Sequence, residues 1–267
     1  MSFDEENLLN ASHISDASPK AGDPLELTIK GVKAVFRYCP PGTFLMGSPK
    51  DEEDRWYDET QHEVTLTRGF WLLETSVTQA LWKAAMGENP IDFPGDTLPM
   101  AQVSWYDCAE FISKLNAAGY APKGWMFDFP TEAEWEYACR AGTTTPFNFG
   151  SSLNGDKANC NGGVPYGTTR GAYIEKTTPV KSYAPNGWGL YDMHGNVWDW
   201  CKDWYGEDYL DNSTTDPQGT PNGRYRVHRG GCWQSPAKSC RSANRDQVGP
   251  EEKSECIGFR LALRALD

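Results

Sequence analysis

FPTEAEWEYACRAG occupies residues 129–142. It reads as an extended Phe-Pro pair feeding a short helix. Thr131 has Glu134 three residues on, the spacing at which a hydroxyl and a carboxylate each take one otherwise unpaired amide at a helix start. Gly142 supplies the stop. Upstream, Ser104–Leu115 carries Trp105, Cys108, Phe111, Ile112 and Leu115 on one helical side. Thr75–Met86 does the same with Val77, Ala80, Leu81, Ala84 and Ala85, and Thr75 or Ser76 would cap it. Before these lie short strand candidates: Leu25–Ile29 with its hairpin partner Val32–Tyr38, the strand fed by PPGTFLMGS (40–48), Glu63–Leu66 and Gly69–Leu73.

Downstream of Gly142 the character changes. Residues 143–187 are mostly Gly, Thr, Asn and Pro, which predicts a long loop. Such a loop in a compact domain is usually functional or stapled by a metal. A turn near Gly189–Met193 follows, then strands at Asn196–Trp200, Arg226–Arg229 and Gly258–Leu263. RSANR (241–245) alternates arginines with Ser242 and Asn244, so a strand there would send two side chains inward and two outward. No internal repeat is visible. The organisation this implies is a polar, flexible stretch over residues 1–22 and a single loop-rich α+β domain over 23–267.

A formal charge of −12 argues against a nucleic-acid partner, which needs basic surface to displace counterions. No apolar stretch approaches the roughly 20 residues that span a bilayer, and Met1-Ser-Phe-Asp-Glu-Glu lacks the basic start of a secretory signal. The expected location is the cell surface if an upstream targeting segment has been removed, and the cytoplasm otherwise. The eight cysteines contain no C-x-x-C pair, so zinc ribbons and thioredoxin-type sites are not indicated. Most are expected to be buried thiols. There are four histidines and none has metal-ligand spacing. Neither G-x-S-x-G nor a phosphate-binding P-loop is present.

The ordered set PPGTFLMGS, ETSVTQALWKAAMG (74–87), VSWYDCAEF (103–111), FPTEAEWEYACRAGT (129–143), TTPVKSYAPNGWGLYDMHGNVWDWCKDWYG (177–206), RVHRGGCW (226–233), RSANR and GFRLA (258–262) resembles the sulfatase-modifying-factor, or formylglycine-generating-enzyme-like, family. The likeness covers about residues 34–264. It implies a variant of the C-type lectin fold, with a twisted mixed sheet, two flanking helices and little other regular structure. It also implies a functional choice. Some relatives are copper oxidases that turn a cysteine into formylglycine, some are iron enzymes, and some are binding proteins varied by diversity-generating retroelements.

The resemblance places two oxidase thiols, five positions apart, between Gly-Gly and the arginine-rich strand. Here Cys232 follows Gly230-Gly231 where the oxidases have Ser, and Cys240 stands just ahead of Arg241. An eight-residue offset does not supply the convergent sulfurs that copper(I) needs, so the expectation is a chain without a catalytic cofactor and without that activity. The oxidase remains the alternative reading.

The preferred reading is a ligand-binding protein. It displays His228, Cys232, Gln234, Ser235, Lys238, Ser239, Asp246, Gln247, Val248 and Gly249 as one exposed patch on a fixed C-terminal frame, toward a protein or cell-surface ligand. The resemblance further implies a structural calcium ion held by Asp192, the carbonyls of Gly195 and Val197, and Asp199, an oxygen set that suits a hard cation. A second family calcium site would draw on Asn159 and an acid, but Ala172 stands in the acid's place.

Overall fold

The structure is a computed structural model that describes residues 18–89, 91, 94–207, 209 and 214–266. Most of the expected N-terminal segment lies outside these residues, although the Gly22 amide donates to the Tyr38 carbonyl at 2.9 Å. Strand β1 (Pro24–Ile29) turns back through Lys30 and Gly31 into β2 (Val32–Cys39). Both turn residues have positive φ, 45° and 81°, which matches the twist of a two-residue hairpin. In β1 every second residue is buried, so Leu25, Leu27 and Ile29 face the core.

Strands β3 (Gly42–Met46) and β4 (His62–Leu66) form a separate ribbon, and β5 (Phe70–Leu73) is buried along its whole length. Helices α1 (Gln79–Met86) and α2 (Trp105–Ala117) follow, then β6 (Trp125–Asp128), α3 (Glu132–Arg140), β7 (Trp198–Trp204), β8 (Arg226–Arg229), a 3-10 turn (Ala237–Cys240), β9 (Arg245–Val248), β10 (Ile257–Phe259) and β11 (Ala262–Ala265). One sheet runs β1-β2-β5-β11-β6 and is antiparallel throughout. A second runs β10-β7-β8-β9, with β10 parallel to β7. This is the mixed, sparsely helical C-type lectin-like architecture.

Helices α1 and α2 pack against each other, and α1 also meets β1 and β2. Between them Trp82 stacks on Phe111 with centroids 5.2 Å apart, and Phe259 closes edge-on against both rings. The predicted capping box of Thr131 and Glu134 is present, and a second one starts α2. Ser104 and Asp107 start α2, and Thr131 and Glu134 start α3.

Three expectations need correction. Helix α1 begins at Gln79, not Thr75, because Thr78 is the residue whose hydroxyl accepts an amide, that of Leu81. Ser76 and Val77 are already committed, to the Asp199 carboxylate and to backbone groups of Phe259 and Met100. The stretch read as one strand over Gly258–Leu263 divides into β10 and β11, in different sheets. Arg260 sits at the break, bonded to Asp199, to Leu73 and to Tyr191. RSANR is not an alternating strand. Arg241, Ser242, Ala243, Asn244 and Arg245 are all buried, and a turn bond from the Asn244 amide to the Arg241 carbonyl precedes β9.

Those buried arginines answer to acids from elsewhere in the chain. Arg245 binds Glu132 at 2.6 Å and Arg241 binds Glu59 at 2.7 Å and Glu52 at 2.6 Å. Arg229 pairs with Glu136, which also takes Arg140 at 2.8 Å and the Gly47 amide. Burial alone would favour neutral Glu132, but Arg245 and Arg229 hold its carboxyl below the usual range.

Glu136→Gln should therefore cost about 3–5 kcal/mol, since it removes the buried carboxylate that Arg229 and Arg140 share. Glu26→Gln, which breaks the exposed pair to Lys33, should cost under about 1 kcal/mol. Urea denaturation of both variants separates the two cases. Asp203 gives a pH-dependent counterpart. Burial, and then the nearby Glu132 charge, push its carboxyl up to about 7. Its ionised form burdens the fold above that pH, and the burden fades as pH falls toward the unfolded value near 4. Asp203→Asn keeps an acceptor for the Glu132 amide. It should raise unfolding free energy by about 1–3 kcal/mol at pH 8, with the gain vanishing by about pH 4 in the same urea series.

Candidate functional site

The C-terminal frame is built around a turn that tolerates no side chain. Gly230 and Gly231 have φ of 99° and 77°. A Cβ on Gly230 would lie 2.9 Å from the Trp135 ring, and one on Gly231 would lie 2.4 Å from the Cys240 sulfur. The turn delivers the chain to Cys232 and Trp233. There the Cys232 amide donates to the Ser235 hydroxyl at 3.0 Å and the Trp233 amide to the Asn196 carbonyl.

Beside Trp233 lies a concavity of about 350 Å³. Its apolar walls include Leu98, Pro99, Ala101 and the Trp233 indole, and Gln79, Lys176 and Glu255 stand among the polar groups around it. Tyr173, partly exposed, stacks on Trp233 with centroids 6.4 Å apart. Gln234 reaches Glu255 at 2.7 Å on the surface.

Not every residue expected in the exposed patch is at the surface. Gln234 and Asp246 are exposed, and Lys238, Ser239, Gln247 and Val248 are partly so. His228, Cys232, Ser235 and Gly249 are buried. His228 lies on β8, an inner strand of its sheet, with its ring against Trp198 and Trp200. Burial pushes its imidazole down to about 4. Ser235 is turned inward by the Cys232 amide. The exposed positions also have separate neighbours. Gln234 bonds Glu255, Lys238 faces Asp54 and the exposed Trp56 ring, and Asp246–Val248 lie on the sheet-edge strand β9.

The expectation that Cys232 and Cys240 do not supply convergent sulfurs left the partner of each unread, and the sulfur that meets Cys232 is that of Cys256. Cys232 and Cys256 have sulfurs 2.7 Å apart, whereas Cys240 lies next to Cys160 and beneath Gly231. Cys256, Tyr173 and the wall from α1 to Ala101 went unread in the sequence. Cysteine spacing does not reveal pairing, and the wall residues come from segments far apart in the chain.

The carboxylates expected to hold calcium are otherwise engaged. Asp199 gives one oxygen to the Ser76 hydroxyl at 2.9 Å and the other to Trp135 and to Arg260, at 3.1 and 2.7 Å. A cation at coordinating distance would sit against the Arg260 guanidinium. Asp192 accepts the Lys181 amide. The Asn196 side chain closes the turn through Asn159 and Thr178. These residues, as arranged, do not fit a calcium ion. Among the described residues, no group of three or more His, Cys, Asp or Glu is placed to hold a metal.

Comparison with known proteins agrees with this geometry at the level of family. The model for the sulfatase-modifying factor enzyme 1-like domain matches residues 36–265. The formylglycine-generating enzyme of Streptomyces coelicolor is 40% identical over 196 residues, covering 70% of this chain and 59% of that protein. The serine/threonine-protein kinase pkn1 of Chlamydia caviae is 39% identical over 169 residues, covering 61% of this chain and 24% of that one. The chain thus spans about a quarter of that kinase's length. Among solved structures, Treponema denticola variable protein 1 superposes with a TM-score of 0.77 at 27% identity, covering 92% of this chain and all of that one.

Millimolar calcium or a chelator should leave the melting temperature unchanged within about 1 °C. Asp199→Ala should lower stability by about 3–5 kcal/mol, since Arg260 is then buried without its carboxylate. Calorimetry with and without calcium checks both; a calcium-dependent rise in the wild type that Asp199→Ala abolishes would restore the ion.

Proposed function

The chain belongs to the family of sulfatase-modifying factor enzyme 1-like domains, and on that premise we propose that it is a ligand-binding protein whose C-terminal frame presents the concavity beside Trp233. The observation that carries this reading is the concavity itself. Its apolar walls are rimmed by a few polar groups, a composition typical of pockets that seat an apolar body and orient it by its edges. Gln79, Lys176 and Glu255 are among its polar lining, and Glu255 also bonds Gln234. Trp233 and Tyr173 add the rigid aromatic surface that concentrates binding energy in protein interfaces. The ligand class that suits these features is a protein segment or cell-surface molecule inserting an aliphatic or aromatic group. Similarity to Treponema denticola variable protein 1 supports a displayed, adaptable surface. The positions open to variation here would be Gln234, Lys238, Ser239, Asp246, Gln247 and Val248, not the buried His228, Cys232 and Ser235.

The oxidase reading retains one specific support, 40% identity to a formylglycine-generating enzyme. It needs two thiols converging on a copper ion open to a substrate peptide. Two pairs of sulfurs lie together here, Cys232 with Cys256 and Cys240 with Cys160, and none of the four residues is more than 9% exposed.

Panning a random-peptide phage library on the immobilised protein tests the binding reading. Enriched peptides should share an apolar anchor. Their affinity should fall at least tenfold in Leu98→Trp, which fills the concavity, while the melting temperature stays within a few degrees. Enrichment indifferent to Leu98→Trp would overturn the reading. Conversion of a cysteine peptide to an aldehyde with copper and oxygen would replace it with the oxidase.

A further inference from the structure

Six of the eight thiols are enclosed. Cys39, Cys108, Cys139, Cys160, Cys201 and Cys240 are at most 1% exposed, and burial pushes Cys39, Cys108, Cys139 and Cys201 up, toward the unreactive thiol form. The remaining two differ in place and in company. Cys232 leaves the Gly230-Gly231 turn and Cys256 precedes β10. Their sulfurs are 2.7 Å apart although 24 residues separate them. Cys232 has the Ser235 hydroxyl 3.4 Å from its sulfur. The contact lies just behind the surface where Gln234 bonds Glu255.

We propose that Cys232 and Cys256 form a peroxide-reactive dithiol that closes to an intramolecular disulfide. This goes beyond ligand binding and does not depend on it. The two roles divide by environment. The contact between the two sulfurs, despite burial, brings the Cys232 thiol below its ordinary range, with the Ser235 hydroxyl adding to the effect. The same contact, and then burial, push Cys256 up. The Ser235 hydroxyl, 3.4 Å from the Cys232 sulfur, is placed to support a thiolate there, which makes Cys232 the nucleophile and Cys256 the proton-bearing resolving thiol. Exposures of 3% and 9% favour a small oxidant over a bulky disulfide, and hydrogen peroxide is the smallest of its class.

In the first step the Cys232 thiolate attacks one peroxide oxygen. An S–O bond forms, the O–O bond breaks, and hydroxide leaves to take up the proton that Cys232 released. In the second, the Cys256 sulfur attacks the sulfenic sulfur. An S–S bond forms, the S–O bond breaks, and the hydroxyl leaves as water with the Cys256 proton. Two thiols lose two electrons and one peroxide becomes two waters. The sulfurs, 2.7 Å apart, are already close enough for the second step to need no other residue between them. An external thiol reverses the reaction by exchange.

The test is peptide mapping of the intact protein after graded hydrogen peroxide at neutral pH and alkylation of the remaining thiols. The expected product is a peptide pair joined through Cys232 and Cys256, lighter by two hydrogens. It should form at doses that leave the six enclosed thiols free for alkylation after unfolding, and dithiothreitol should reverse it. In Cys256→Ser, dimedone should trap a sulfenic acid at Cys232. In Cys232→Ser, labelling of Cys256 should be at least tenfold lower. Absence of the cross-link, prior formation of a Cys160–Cys240 link, or equal dimedone labelling of the two variants would overturn the proposal. The wild-type map decides the matter even where a variant fails to fold, and since no ligand is involved its outcome is independent of the phage experiment.

Discussion

Four arginines near the C-terminus, Arg229, Arg241, Arg245 and Arg260, are almost wholly enclosed, and the geometry of the rest follows from where their acids come from. Glu132 and Glu136 stand on α3, Glu52 and Glu59 in the acidic loop between β3 and β4, and Asp199 on β7. An isolated buried guanidinium is not tolerated, so each must find its carboxylate for the chain to fold. Pairs of this kind add little net stability over an apolar core. What they supply here is placement. Arg245 and Arg229 tie the second sheet to α3, Arg241 ties the turn before β9 to the acidic loop, and Arg260 ties the crossing between the sheets to β7. The long segment 143–187, without regular strands or helices, is held by short bridges, by a small cluster around Phe147, Leu153 and Tyr166, and by bonds to distant residues such as Asn196 and Glu53.

Because the frame is fixed from beneath, its outer residues are free of structural duty. Gly230 and Gly231 lie so close to Trp135 and Cys240 that no side chain fits, while Gln234, Lys238 and Asp246 can change without disturbing the packing below. Rigid support under replaceable side chains is the property a binding surface needs. It also explains why the frame serves both enzymes and binders within one family. The scaffold specifies where side chains stand and not what chemistry they perform.

The sequence made different parts of this legible to different degrees. A capping box is local, so Thr131–Glu134 could be read directly, whereas Ser104–Asp107, with Asp in place of the usual Glu, went unread. The hairpin of β1 and β2 was legible from its alternation and its Lys-Gly turn. The start of α1 was not, since Thr75, Ser76 and Thr78 are all plausible caps, and the long-range bonds of Ser76 and Val77 decide among them. RSANR misled because alternation of arginine with small polar residues ordinarily means one face in water. Here the arginines point to acids 113 and 182 residues away. The site was the least legible part. His228 and Ser235 look like surface residues by type, yet one is enclosed by an inner strand between two indoles and the other closes a turn.

The same logic accounts for Asp199. A carboxylate in a Gly-Asn turn invites a calcium reading, because hard cations are held by such oxygens. The structure places a permanent cation, the Arg260 guanidinium, against that carboxylate and adds the Trp135 and Ser76 donors. Arg260 also bonds the carbonyls of Leu73 and Tyr191, the kind of backbone oxygens a metal would otherwise gather. An arginine cannot lose its charge at physiological pH and presents donors in a fixed planar fork. It therefore fixes the junction of β7, β10 and β11 in every ionic environment, where a calcium site would fix it only when filled.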